Sequence, residues 1–246
     1  WEEATKIFHE IINNETNNIL PKNKSNVRMN LYIYYNKKGN IDEAEKYLYQ
    51  AINLLNPENP HHKSMYYYSL SSLYFFLSEK GYAYDAIKGY LKLLNDVEKE
   101  FGKSDFFGEI LFLLSRSYNQ NGEDNEALKY SEKLLNLLEN KNIKSGTETW
   151  YAQIGASYAV LNNNQNAEKY FEKSIEIYKK TKNYNNAIPT MVSLAATKIG
   201  LTKYQEAENI LKEAENFNFN YHGDDPGFKI QIYSMYLGLY AKSNKN

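Results

Sequence analysis

Lys38-Gly39-Asn40-Ile41-Asp42-Glu43-Ala44, followed by Leu48 and Ala51, is the stretch that decides the fold. A helix ends at Gly39, and an amphipathic helix with a small residue on its inner face begins almost at once. The same signature returns along the chain at intervals of 40, 42, 41, 40 and 40 residues, around Ala4 (in part), Ala44, Ala86, Ala127, Ala167 and Ala207. A fixed period of this size predicts an array of helical repeats.

Composition limits the classes of protein to which the chain can belong. Its 246 residues are 42% hydrophobic, which is enough for a sizeable core, and strand-type alternation is absent. A net charge of −1 and a pI near 6.5 argue against a broad surface for nucleic acid or membrane. The sequence has no cysteine, which excludes disulfides and suits a reducing compartment, and no apolar run approaches the roughly 18 residues of a membrane span. We therefore expect a cytoplasmic protein.

Breaks between helices divide the chain into helix pairs. Glycine ends the first helix of three pairs (Gly39, Gly81, Gly122), Asn162-Asn163-Asn164 replaces it in the fourth, and Gly200-Leu201-Thr202 makes the fifth turn. The polar run Asn13–Lys24, which contains Pro21, is expected to end the first helix, and Pro57 and Pro60 are expected to end a later one. The tenth helix is expected to start at Tyr184, and Asn216–Gly227 to form a loop. The prediction is a single array over 1–246, with a half repeat at 1–20, repeats at 25–60, 61–101, 104–142, 146–182 and 183–218, and a terminal helix at 226–243. Because the first residue is not Met, we expect a piece of a longer protein.

These pairs resemble the tetratricopeptide repeat (TPR), in which large, glycine, tyrosine and alanine positions recur in a fixed order. The first full repeat matches at Leu31, Tyr32, Tyr35, Gly39, Ala44, Leu48 and Ala51. The fourth matches at Tyr151, Ile154, Gly155, Tyr158, Ala167, Phe171 and Ser174. The resemblance covers essentially the whole chain and implies an all-α, right-handed superhelical solenoid of antiparallel helix pairs.

The period near 40 exceeds the common 34. Longer repeats of this kind resemble those of kinesin light chains and of the Gram-positive peptide-pheromone receptors of the Rap, NprR and PlcR group. The Lys-, Asn- and Tyr-rich, cysteine-free sequence is similar to the second group. That resemblance implies a bacterial quorum-sensing protein whose repeats bind a signal peptide, with an N-terminal effector part that controls transcription or binds a response regulator.

The sequence offers no arrangement typical of catalysis or of metal binding. His61-His62, His9 and His222 are too scattered to supply the three or four converging ligands of a metal site. No phosphate-binding glycine loop, nucleophile elbow or paired carboxylates stand out. We therefore predict a binding module rather than an enzyme, with no metal and no cofactor.

In TPR domains the first helix of each pair lines the concave face, and the register of the pattern then identifies the residues that point inward. The predicted peptide-binding set is Asn30, Ile33, Tyr68, Ser72, Phe75, Phe112, Arg116, Asn119 and Gln153. The same register adds Asn26, Met29, Asn36, Ser71, Glu109, Leu113, Thr149, Ala152, Ala156 and Ser193. Amides pair with both groups of a peptide bond, and small apolar residues leave room between them. The alternative for each residue is ordinary solvated surface.

Arg116 is one of two arginines in a chain that otherwise uses lysine as its basic residue. The planar guanidinium fork fits a carboxylate better than lysine does, which indicates recognition of a peptide C-terminus or of an acidic side chain. The alternative is an internal ion pair with Glu109 or with an acidic residue of a neighbouring repeat.

The function that the resemblance favours is the peptide-sensing domain of a Gram-positive cytosolic transcription regulator. Two alternatives remain: a general protein-interaction scaffold, and the TPR part of a Rap-type response-regulator phosphatase. The expected partner is a short peptide or a protein, with no nucleic acid bound by this segment and no membrane. We expect a homodimer through the C-terminal repeats, or burial of that end against residues outside this sequence, because Phe228, Ile232, Tyr236 and Leu239 would be half-covered there.

Overall fold

The computed structural model describes residues 1–14, 19–140, 146–182 and 186–243, and within them it contains twelve α-helices and no β-strand. The prediction of an all-α repeat fold is confirmed. The helices are α1 (Glu2–Asn13), α2 (Pro21–Lys37), α3 (Ile41–Asn53), α4 (Pro60–Glu79), α5 (Ala83–Phe101), α6 (Asp105–Gln120), α7 (Asp124–Asn140), α8 (Thr147–Val160), α9 (Asn164–Thr181), α10 (Ala187–Gly200), α11 (Tyr204–Tyr221) and α12 (Pro226–Ser243).

The helices fall into two compact units, Trp1–Gly102 and Lys103–Asn246. In the first unit each helix packs on the next, and α2 also contacts α4. In the second unit each helix again packs on the next, while α6 contacts α8, α8 contacts α10, and α10 contacts α12. Within each unit the even-numbered helices therefore form a row of first helices, and the odd-numbered helices are their partners.

The recurring alanines lie where the two helices of each pair approach most closely. Ala44, Ala86, Ala127, Ala167 and Ala207 all have 0% of their surface exposed. A methyl group at this position permits the close approach, and larger side chains around it fill the remaining space. The periodic alanine is thus a packing position in all five pairs.

A stacked pair of tyrosines accompanies the alanine in three of the five helix pairs. Tyr35 stacks on Tyr47, Tyr118 on Tyr130, and Tyr158 on Tyr170, with ring centroids 5.6, 5.4 and 5.7 Å apart. In each case the second tyrosine follows the first by 12 residues. The same two positions hold Leu77 and Gly89 in the α4–α5 pair, and Lys198 and Ile210 in the α10–α11 pair.

The turns inside the pairs use the left-handed backbone region that the glycines predict. Gly39, Gly81 and Gly122 have φ of +73°, +88° and +77°. Asn162 takes the place of glycine in the fourth pair at +59°, as the sequence predicts. In the fifth pair Gly200 remains in the helix and Thr202 adopts +60°, which is a strained conformation for a β-branched residue.

Three helix boundaries differ from the prediction. Pro21 and Pro60 begin α2 and α4 instead of separating helices, because proline at the first helical position lacks only an N–H that would be unpaired there. Helix α11 continues through Asn216 to Tyr221, and the buried side chain of Asn218 donates to the carbonyl of Asp225, 3.0 Å away. The predicted start of the tenth helix at Tyr184 lies outside the described residues.

Two of the four apolar residues that were predicted to be half-covered on the C-terminal helix α12 are fully buried, and the other two, Phe228 and Tyr236, are half-buried. Ile232 and Leu239 are 0% and 2% exposed and therefore cannot form a half-covered surface. The exposed apolar side chains of α12 are Ile230, Tyr233, Leu237 and Tyr240. Self-association through the C-terminal repeats stays a prediction, and these side chains are the ones available for it. No helix in the described residues is long and apolar enough to cross a membrane.

We predict that Thr202→Gly raises the free energy of unfolding of the second unit by about 1 kcal/mol, because a left-handed conformation costs a residue with a Cβ roughly 1–2 kcal/mol. Glycine removes this strain, but it also increases the conformational entropy of the unfolded chain, which offsets part of the gain in stability. Urea denaturation followed by the fluorescence of Trp150, which is buried in the second unit, measures the effect.

The matched control is Asn162→Gly at the equivalent turn, where the gain should be smaller because asparagine tolerates this conformation. Equal effects of the two substitutions, or a loss of stability from Thr202→Gly, would contradict the assignment of strain to Thr202.

Candidate functional site

The second unit contains a groove along its row of first helices, with a volume of about 310 Å³. We call it the α6–α8–α10 groove. It is lined by Phe112, Arg116, Thr149, Ala152, Gln153, Ala156, Phe171, Tyr178, Asn186, Pro189, Thr190 and Ser193. Four lining residues lie on α8 at spacings of three and four residues and therefore occupy one face of that helix: Thr149, Ala152, Gln153 and Ala156.

Arg116 is the one charged side chain among the described residues that line this groove. The lining hydroxyls of Thr149, Thr190 and Ser193 donate to backbone carbonyls three or four residues earlier, at 2.9, 3.0 and 3.0 Å. Their oxygen lone pairs therefore remain available to accept hydrogen bonds, while Gln153 and Asn186 carry amides. The groove combines one fixed positive charge with neutral polar groups and small apolar ones.

The floor of the groove comes from the partner helix α9. Phe171 and Tyr178 are 3% and 1% exposed. A Cβ at Gly155 would lie 2.8 Å from the Phe171 ring, so that the ring fits only because α8 has no side chain there. Burial raises the pKa of Tyr178 to about 12, so its hydroxyl stays protonated at neutral pH.

A buried network of hydroxyls and amides holds Gln153 in place. The Gln153 side-chain amide donates to Asn119 Oδ1 at 2.8 Å and to Ser115 Oγ at 3.2 Å. Ser115 and Ser157 each hydrogen-bond Ser131, at 2.7 and 2.9 Å, and all three serines are 0% exposed. Because its donors are satisfied internally, Gln153 presents a fixed orientation to the groove. Asn119 belongs to this network and positions Gln153 by accepting a hydrogen bond from its side-chain amide.

The structure brings part of the predicted set together. Phe112, Arg116 and Gln153 line the α6–α8–α10 groove, and Asn119 contacts Gln153. Of the additional register positions, Thr149, Ala152, Ala156 and Ser193 line the same groove. Met29, Ser71 and Leu113 are buried instead, so the prediction that they face a ligand is wrong. The peptide-binding role of these residues is a proposal that follows below.

The other predicted residues lie in the first unit, on α2 and α4. Asn30 and Ser72 are half-buried and donate to carbonyls of their own helices, at Asn26 and Tyr68. Tyr68 is 53% exposed, Phe75 is half-buried, and Ile33 packs against the hydrophobic core of that unit. Because α2 contacts α4, these five residues belong to one row of first helices.

Two kinds of lining residue escape the sequence prediction. Phe171 and Tyr178 lie on a second helix, which the repeat pattern assigns wholly to packing. Asn186, Pro189 and Thr190 lie at the start of α10, whereas the register of the repeat pattern identifies only Ser193 on that helix. The spacing of Asn186, Pro189, Thr190 and Ser193 repeats that of Thr149, Ala152, Gln153 and Ala156, and this parallel is the signal that could have identified them.

Glu109 interacts with the neighbouring first helix. Its carboxylate accepts a hydrogen bond from the indole of Trp150 at 3.1 Å. Burial raises the pKa of Glu109, and the indole hydrogen bond partly offsets that rise. The bond joins α6 to α8 beside the groove. Among the described residues, no three or more His, Asp or Glu side chains form a group that could hold a metal ion.

Comparison with known proteins agrees with this architecture. Residues 146–217, which cover α8–α10 and most of α11, match the tetratricopeptide repeat family model. No curated protein sequence matches the chain. The all-α TPR repeat fold is established by the helix arrangement together with similar solved structures, and TPR domains bind peptide or protein partners.

Three of these solved structures show the extent of the similarity. A Rap protein in complex with competence and sporulation factor gives a TM-score of 0.71 at 15% identity, over 93% of this chain and 61% of that one. The apo form of RapI gives 0.69 at 15% identity, over 89% and 82%. A signal transduction ATPase with numerous domains and a TPR sensor, from Pyrococcus horikoshii, gives 0.70 at 22% identity, over 98% of this chain and 36% of that one. At these identities the similarity concerns the fold alone.

We predict that Glu109→Gln raises the melting temperature at pH 7. A carboxyl whose pKa is higher in the folded chain than in the unfolded one favours folding when protonated, so stability falls as pH rises above the usual carboxyl range. Glutamine removes this ionisation and keeps an oxygen that accepts from Trp150. The difference between variant and parent should shrink towards pH 4 in melting curves recorded across this pH range.

Glu139→Gln, on the exposed side of α7, is the control and should change the melting temperature little at any of these pH values. A lower melting temperature for Glu109→Gln at pH 7 would show that the charged carboxylate stabilises the fold.

Proposed function

We propose that this TPR chain is a peptide-sensing module that binds an extended segment in the α6–α8–α10 groove, with Arg116 receiving a carboxylate. The observation that carries the proposal is the lining of the groove, in which one arginine stands among neutral polar and apolar side chains. A charge-assisted, two-pronged hydrogen bond to a carboxylate is the interaction that a guanidinium provides and a lysine does not.

The neutral part of the lining supports a peptide rather than a rigid small molecule. Ala152 and Ala156 leave space along α8 for a backbone, and the amides of Gln153 and Asn186 can each pair with a peptide N–H and C=O. The volume of about 310 Å³ is at the lower end of the usual range for ligand sites, so the groove would hold only part of a longer ligand.

We further propose that the module belongs to a Gram-positive cytosolic regulator, in which peptide binding controls transcription. The similarity to two Rap proteins, one of them solved with competence and sporulation factor, supports this context. The second candidate within the same context is a Rap-type protein that acts on a response regulator, and the upstream sequence of the parent gene distinguishes the two. A helix-turn-helix there would favour transcription control, and a three-helix bundle would favour response-regulator binding.

A general scaffold for a folded partner is the alternative from another class. It predicts that no short peptide raises the melting temperature while a larger protein co-purifies with the chain. The sensing proposal predicts a thermal shift with a short peptide, because a ligand that binds only the folded chain stabilises it.

We predict that Arg116→Lys weakens the binding of a carboxylate-bearing peptide by about 1–3 kcal/mol, the range for a hydrogen bond to a charged group. The probe is the tightest peptide selected from a random library with free C-termini, and calorimetric titration gives its affinity for both variants. The melting temperature of the ligand-free variant should stay nearly unchanged, since the substitution keeps the charge and most of the aliphatic stem.

The same peptide with an amidated C-terminus is the matched control. If Arg116 reads the terminal carboxylate, the amidated peptide should bind weakly and should no longer distinguish arginine from lysine. If the carboxylate is an acidic side chain, the matching Asp→Asn or Glu→Gln peptide should behave in this way instead. Equal affinity of the two protein variants for the original peptide, or a large loss of stability in Arg116→Lys alone, would assign Arg116 to structure.

A further inference from the structure

The α10–α11 pair lacks the stacked tyrosines of three other pairs. An open pocket lies beside the positions that those tyrosines would occupy. Lys198 and Ile210 occupy the positions of the stacked tyrosines, and both line a pocket of about 390 Å³ between α9, α10 and α11. We call it the α9–α11 pocket. Its lining shares no residue with the α6–α8–α10 groove.

A buried lysine lies at the base of this pocket. Lys198 is 4% exposed, and its Nζ lies 2.6 Å from Glu168, 2.7 Å from Glu206 and 2.9 Å from Glu172. Burial alone would lower the pKa of Lys198, but the three carboxylate hydrogen bonds outweigh it and raise the pKa above its ordinary value. The ammonium is therefore permanently charged at neutral pH.

The carboxylates around Lys198 are unequally neutralised. Glu168, with a side chain 14% exposed, also accepts two hydrogen bonds from Lys203 at 2.8 Å. The side chains of Glu172 and Glu206 are 53% and 56% exposed at the rim, and both share the ammonium of Lys198. The two lysines and three glutamates of the cluster sum to −1. Two further charged residues line the pocket: Glu176 adds a negative charge, and the positive charge of Lys179 is balanced by Glu213, 2.6 Å away.

The remaining lining consists of three aliphatic residues together with Asn209 and with Lys179, whose ammonium is paired with Glu213 at 2.6 Å. Ile175 and Leu194 are 4% and 1% exposed, and Ile210 is half-buried beside them. An aliphatic floor under a ring of carboxylates is complementary to a side chain that has an apolar stem and a cationic end. A planar guanidinium can bridge two carboxylate groups at once, which an ammonium cannot do with the same geometry.

We propose that the α9–α11 pocket is a second interaction site, which binds an arginine side chain of a partner polypeptide. The stem of that arginine lies on Ile175, Leu194 and Ile210, and its guanidinium contacts the rim carboxylates of Glu172 and Glu206. The chain thereby has two sites of opposite charge preference, one for a carboxylate and one for a guanidinium. The second site does not depend on whether the first binds a signal peptide.

The test is a methyl NMR titration of the full chain, labelled at isoleucine, leucine and alanine, with acetyl-Gly-Arg-Gly-amide as the probe. The expected result is saturable shifts of the Ile175, Leu194 and Ile210 methyl signals at millimolar probe. The Ala152 and Ala156 methyl groups in the groove should not respond, because the one charged lining residue there repels a cation. Acetyl-Gly-citrulline-Gly-amide, which has nearly the same shape without the charge, should bind at least fivefold more weakly.

Two substitutions test the site with little risk to the fold. Ile210→Tyr introduces the tyrosine found at this position in three other pairs, and it should abolish the shifts of Ile175 and Leu194 by filling the pocket. Glu176→Gln removes one rim charge and should weaken binding about two- to fivefold, the range for an exposed ion pair. The control is Glu139→Gln on α7, which should change neither affinity nor spectrum.

The absence of shifts with the arginine probe would overturn the proposal. Equal binding of the citrulline probe would overturn it as well, since the pocket would then take a neutral ligand. Unchanged binding by a folded Ile210→Tyr variant would place the arginine elsewhere. None of these outcomes affects the carboxylate preference of Arg116, which the groove titration tests separately.

Discussion

The close contact between two helices at a single methyl group is the constraint on which the rest of the structure depends. Ala44, Ala86, Ala127, Ala167 and Ala207 are completely buried at this contact. A larger side chain would force the helices apart and break the packing around it, since protein interiors have no spare volume. The contact fixes each pair, and stacked pairs give the rows of first helices on which the candidate binding residues lie.

Variation among the pairs separates structural from functional positions. Where the tyrosine stack is present, as at Tyr118–Tyr130, the space beside the alanine is filled and the pair has a purely structural interior. In the α4–α5 pair the stack is absent, and the Tyr74 ring lies so close to Gly89 that a Cβ there would be 2.2 Å away. In the α10–α11 pair Lys198 forms ion pairs with three glutamates instead, and the α9–α11 pocket lies beside it. The α9–α11 pocket therefore lies where this helix pair departs from the repeat pattern.

The repeat period of the sequence was enough to predict the helix pairs and their main packing positions. The spacing of the alanines predicted the helix pairs and the packing role of Ala127 and its equivalents, and the Asn162 turn followed from the missing glycine. The register of the first helices also predicted that Phe112, Arg116 and Gln153 would lie together, because residues on one face of neighbouring first helices must meet in such an array.

The rest depended on tertiary neighbours that a period does not specify. Phe171 and Tyr178 form the groove floor because α8 has a glycine at position 155, and the ion cluster needs Glu168, Glu172, Lys198 and Glu206 from three helices. The sequence prediction placed Pro21 and Pro60 at helix ends, because proline cannot lie in a helix interior. Proline is also favoured at the first position of a helix, and the sequence alone does not decide between a helix end and a helix start.

Alanine methyl NMR of the full chain with a library-selected, carboxylate-bearing peptide tests most directly whether the groove is the sensing site. Ala152 and Ala156 line the groove, whereas Ala207 is buried at the α10–α11 contact and Ala86 lies in the other unit. The account predicts saturable shifts of Ala152 and Ala156 that are lost when the carboxylate is neutralised, with Ala207 and Ala86 unchanged. Binding that leaves Ala152 and Ala156 unshifted, or that shifts them equally without the carboxylate, would contradict it.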